Sequence, residues 1–126
     1  MEKKYLEMTK MLNFDVESIQ SLIKNRKWIE LDEYNKIAAI YDFVRNEILF
    51  GYNSSDLLSA EEVLKDGYGQ CNTKATLLMA LLRSVGIPCR LISLSYRRRV
   101  VYCFYNAYLQ TIGITLFNIT YFNIIT

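Results

Sequence analysis

At 126 residues and a net charge of +2, the chain has room for one domain with one modest core. Hydrophobic residues make up 52%, which excludes an intrinsically disordered chain, and the small charge argues against nucleic acid or another polyanion as partner. There is no histidine, and the three cysteines at 71, 89 and 103 form no Cys-x-x-Cys pair, so no metal site is expected.

The opening residues Met1-Glu2-Lys3-Lys4-Tyr5 are charged and no apolar signal-type run follows. The expectation is a cytoplasmic protein in a reducing compartment. Residues 1–30 read as a helical lead-in, with Asp15 placed to cap a short helix carrying Val16, Ile19, Leu22 and Ile23 on one face. Asp32 precedes a stronger helix, because Ile37, Ile40, Tyr41, Val44 and Ile48 fall on one helical stripe. In Phe50-Gly51-Tyr52-Asn53, Gly51 is available to cap that helix in the left-handed region. Ser59-Ala60-Glu61-Glu62 predicts a capping box opening a short helix with Val63 and Leu64.

Asp66-Gly67-Tyr68-Gly69 predicts a turn, with Asp66 as its side-chain cap. From Cys71 onward, Leu77, Leu78, Leu81, Leu82 and Val85 predict a buried helix, which Gly86-Ile87-Pro88 stops. Cys89 to Leu94 reads as a strand. Cys89 and Cys103 read as core packing, and Arg97-Arg98-Arg99 as a solvated turn between strands.

Residues 100–126 contain no charged side chain and are rich in Ile, Phe, Tyr, Asn and Thr. A membrane span needs roughly 20 apolar residues. Asn106, Gln110, Asn118 and Asn123 interrupt the run, and the alternation favours strands. Self-association through this apolar tail is a further expectation.

Cys71 carries the chemistry. A thiol at a helix start sits near unsatisfied N–H groups and the positive end of the helix dipole, and both favour thiolate. Gly67 and Gly69 let the backbone turn tightly and approach a substrate closely. The Cys71 backbone N–H is a natural half of an oxyanion hole for an attacked acyl carbonyl.

Tyr68-Gly69-Gln70-Cys71 is the tetrapeptide around the nucleophile in animal transglutaminases. A wider pattern runs through Ala60-x-x-Val63-Leu64, Gly67-x-Gly69-x-Cys71, and Leu77-Leu78-x-Ala80-Leu81-Leu82-Arg83-x-x-Gly86-Ile87-Pro88-x-Arg90. Residues 32–94 thereby resemble the transglutaminase-like superfamily, in its bacterial branch. The resemblance implies a papain-type α+β fold, with N-terminal helices packed on a small, incomplete antiparallel sheet. Residues 31–99 would be the first half of that core, with the nucleophile helix and first strand, and 100–126 a tail atypical of the family.

The implied activity is cysteine-nucleophile acyl chemistry on a peptide or amide substrate, by hydrolysis or by transfer to an amine, without a cofactor. Cys71 would be the nucleophile, Gly69 and Gln70 would shape the turn and the oxyanion site, and Asp66 would be at most a weak base. The family places a histidine and then an aspartate on later strands. Here no histidine exists, the single tryptophan is Trp28, and no Asp or Glu follows Asp66. Little or no activity is expected of this chain, as for a truncated or frameshifted gene product. The alternatives are a non-catalytic binding or scaffold module of the same fold, or a small membrane-associated protein.

Overall fold

The helix that begins at Cys71 forms the centre of the core. In the computed structural model, the described residues are 2–95, 98–105, 110–115 and 120–125. Of residues 2, 71, 92–95, 98–100, 102 and those from 104 onward, only the backbone is described. The expected self-association through the tail side chains lies outside that description.

The helices are α1 (Glu17–Arg26), α2 (Glu33–Asn46), α3 (Ala60–Asp66) and α4 (Cys71–Ser84), with short 3-10 turns at Glu2–Leu6 and Trp28–Glu30. The strands are β1 (Leu49–Phe50), β2 (Tyr68–Gly69), β3 (Cys89–Ser95), β4 (Arg98–Tyr105), β5 (Gln110–Thr115) and β6 (Thr120–Ile125). Strands β3 to β6 form a four-stranded antiparallel meander in chain order, while β1 and β2 form a separate parallel pair. The architecture is α+β, as the change from helical periodicity to β-rich composition predicts.

Every residue of α4 from Thr73 to Leu82 is buried. The sequence suggests a leucine stripe. The helix instead buries all sides, because α2 and α3 pack on it along with β3 and β4. Leu77, Leu78, Leu81 and Leu82 are fully buried together with Ile37, Ile40, Val44 and Val63. Each such side chain contributes about 1.5–3 kcal/mol relative to exposure. The helix ends in a Schellman motif. Gly86 has φ 88°, its N–H donates to Arg83 O at 3.1 Å, and the Ile87 N–H donates to Leu82 O at 3.0 Å.

Asp32 caps α2 by accepting from the Asn35 N–H at 2.8 Å, and Ser59 and Glu62 form the predicted capping box on α3. Asp15 does not cap α1. The N-cap is Val16, which has no side-chain acceptor, and the start is set by burial of Ile19 and Ile23. Gly51 is not a left-handed cap either. Helix α2 ends at Asn46 with Glu47 as a right-handed C-cap, and Gly51 extends β1 by donating its N–H to Gly69 O at 3.1 Å. Arg98 and Arg99 belong to β4 rather than to the turn, and Arg97 lies outside the described residues. Among the described residues, no helix is long and apolar enough to cross a membrane.

Candidate active site

Three short elements converge on the start of α4. Helix α3 ends at Gly67, whose φ of 75° lies in the left-handed region where a side chain is strained. The chain then pairs as β2 with β1, Leu49 opposite Tyr68 and Phe50 opposite Gly69. Leu49 N–H donates to Gly67 O at 3.0 Å, which anchors the pair at its upstream end.

Gly69 is required by contact rather than by dihedral angle. A Cβ there would sit 2.7 Å from Thr73 Oγ1 and 3.1 Å from Lys74 Cγ. Its backbone is therefore pressed against the first turn of α4. Gln70 is the N-cap, and its N–H donates to Thr73 Oγ1 at 3.0 Å. Its carboxamide is engaged as well. Oε1 accepts from the Asn53 N–H at 2.9 Å, and Nε2 donates to Asp56 Oδ1 at 2.6 Å. Both ends of the Gln70 carboxamide, one accepting and one donating, thus tie the turn to the loop after β1.

Cys71 is the first residue of α4. Its N–H is one of those that helix geometry leaves without an intrahelical acceptor. Its side chain lies outside the described residues, and so does the expectation that the thiol is partly accessible.

Sequence reasoning missed two residues. Asn53 is the hub of the site. Its Oδ1 accepts from the Thr73 hydroxyl at 2.6 Å, and its Nδ2 donates to Asp66 Oδ2 at 2.9 Å and to Tyr68 O at 3.0 Å. Asp66 is thereby brought to the site through Asn53, at the end of α3. No local pattern marks Asn53, because its partners lie 13 to 20 residues away. Lys74 is the second. It is 3% exposed, and its ammonium donates to Ile48 O at 2.7 Å. A lysine inside an apolar helical run was the available signal.

The other two thiols are of a different kind. Cys89 and Cys103 face each other across β3 and β4, and both are buried and free. Burial pushes the Cys89 thiol up to about 12 and Cys103 well above its ordinary value, so both stay protonated at neutral pH. Cys89 Sγ donates to Met79 O at 3.7 Å.

A family model described as the transglutaminase-like superfamily matches residues 20–114. The chain belongs to the transglutaminase-like superfamily. The match begins within α1, takes in α2 to α4, and runs through β3 and β4 almost to the end of β5. This transglutaminase-like chain is also similar in fold to a solved structure from Cytophaga hutchinsonii, described as a candidate cysteine protease. The TM-score is 0.72 at 19% sequence identity, over 98% of this chain and 46% of that one. The transglutaminase-like chain therefore spans a little under half the length of that neighbour. No curated protein matches it.

Proposed function

We propose that this transglutaminase-like domain serves thiol-mediated acyl chemistry on peptide amides, with Cys71 as nucleophile, and that the 126 residues alone turn amides over little or not at all. The observation that carries the reading is the place of Cys71, first residue of α4 directly after the Gly67–Gln70 turn, inside the family match. In the reaction, the thiolate attacks the amide carbonyl carbon. The Cys71 backbone N–H stabilises the oxygen as it becomes an anion. The leaving amine must then gain a proton, and water or a second amine must later release the acyl group.

No histidine in the chain can carry that proton. Asp66 is held by Asn53, which suits it to orienting the turn more than to proton transfer. Loss of the base in such a unit typically costs several orders of magnitude in rate. An activated aryl ester departs without protonation and remains a feasible acyl donor. The test compares aryl-ester turnover with ammonia release from a glutamine-containing peptide, in the native chain and Cys71→Ala. The expected outcome is slow, Cys71-dependent acylation by the ester and no turnover of the peptide. Peptide turnover that depends on Cys71 would overturn the low-activity reading. Ester acylation that survives Cys71→Ala would overturn the nucleophile.

A further inference from the structure

Lys74 is a lysine buried in the core, three residues after Cys71, and nothing in the acyl chemistry above uses it. It is the only ionisable group other than the thiols and a tyrosine among the buried side chains described. Its stem crosses the backbone at Gly69, where a Cβ would lie 3.1 Å from Lys74 Cγ, and its ammonium reaches Ile48 O at 2.7 Å, just before β1. Desolvating an ammonium is costly, and a leucine or methionine would fill the same volume at lower free energy. Packing alone therefore does not account for a lysine here.

Positions 71 and 74 are one helical turn apart and share one face of α4. Side chains on a helix lean back toward its N-terminus, and Lys74 does so, toward Gly69 and Ile48. We propose that Lys74 is a positioning residue for the nucleophile: its buried ammonium favours the Cys71 thiolate, the electrostatic role an imidazolium has beside other catalytic thiols, in a chain that has no histidine. The inference rests on the reading of Cys71 as nucleophile. Lys74 neither accepts the thiol proton nor touches substrate.

The elements around the first turn carry other ionisable groups. Asp66 ends α3 and Asp56 lies in the preceding loop. Both carboxylates act against a thiolate, but both are exposed and already bonded, to Asn53 Nδ2 and Gln70 Nε2. Burial raises the pKa of Tyr41 on α2 and of Cys89 and Cys103 on β3 and β4, so these three stay uncharged near neutral pH. The buried ammonium is thus the cation nearest in sequence to Cys71 on α4.

The experiment is the pH profile of Cys71 alkylation by iodoacetamide, read at the Cys71 peptide by mass spectrometry. The full chain, Lys74→Met and Lys74→Arg are compared. The native midpoint is expected below the ~8.5 of a free thiol. Lys74→Met should raise it by about one unit or more, as for loss of a neighbouring opposite charge. Lys74→Arg should keep it low. A native midpoint at or above the free-thiol value overturns the nucleophile reading and this inference together. A low native midpoint that Lys74→Met leaves in place overturns only the role of Lys74. If Lys74→Met does not fold, the reciprocal measurement decides. The carbon-13 signal of Lys74 Cε should step at the Cys71 midpoint in the native chain and lose that step in Cys71→Ser, and absence of the step in the native chain overturns the inference.

Discussion

The Thr73 hydroxyl lies 2.6 Å from Asn53 Oδ1, and that bond joins the loop after β1 to the first turn of α4. Thr73 is fully buried and its hydroxyl also accepts from the Gln70 N–H, so the turn before Cys71 is fixed from both sides.

Removing the Asn53 carboxamide leaves Thr73, Tyr68 O and Asp66 without this partner. Asn53→Ala should destabilise the fold by about 1–3 kcal/mol, the range for breaking partly buried hydrogen bonds. Urea denaturation should give a lower midpoint with an unchanged slope, since the compactness of the end states is not altered.

Gly69→Ala should cost about 1–3 kcal/mol, because its Cβ would fall 2.7 Å from Thr73 Oγ1. Adding Thr73→Ala removes that clash. The penalty of Gly69→Ala should therefore be smaller in the Thr73→Ala background, with a coupling of at least about 0.5 kcal/mol in a double-mutant cycle. Additive penalties would show that the glycine is needed for some other reason.

The two aspartates placed before helices in the sequence should behave differently. Asp32→Ala loses a bond to the Asn35 N–H and should cost about 1 kcal/mol. Asp15→Ala removes no cap, since Val16 holds that position, and should stay within about 0.5 kcal/mol of the native chain. Thermal melts of the two variants side by side check this.

Cys89 ties stability to alkaline pH. Its folded pKa of about 12 lies well above that of an exposed thiol, so the folded state holds the proton more tightly. The contribution is fully present below pH 9 and is lost as pH rises from there toward about 12. The urea midpoint should fall between pH 9 and pH 11, and should fall less in Cys89→Ala. For the same reason, an aromatic disulfide reagent at pH 8 should modify Cys89 and Cys103 only after unfolding.

The helices were legible because their signals are local. Asp32, the Ser59–Glu62 box and the Gly86 stop each act within five residues. The start of α4 at Cys71 was legible for the same reason. Gly51 misled because a glycine after an apolar stripe suits a helix cap and a strand that meets a tyrosine ring equally well. An added Cβ there would be 2.9 Å from Tyr68 Cδ1. The parallel β1–β2 pair was invisible, since two-residue strands have no periodicity. Asn53 and Lys74 were missed because their roles depend on partners brought near only by that pair.

The burial of α4 on every side has a consequence for how such a domain can diversify. From Thr73 to Leu82 the helix offers no position where a residue can change without disturbing a neighbour. Residues 51–58, by contrast, form no regular element and include Tyr52 and Leu57 well exposed at the surface. This loop nevertheless grips the turn before Cys71 through Asn53 and Asp56. A library meant to vary the surface beside that turn should hold α4 fixed, keep those two residues, and vary the loop positions between them.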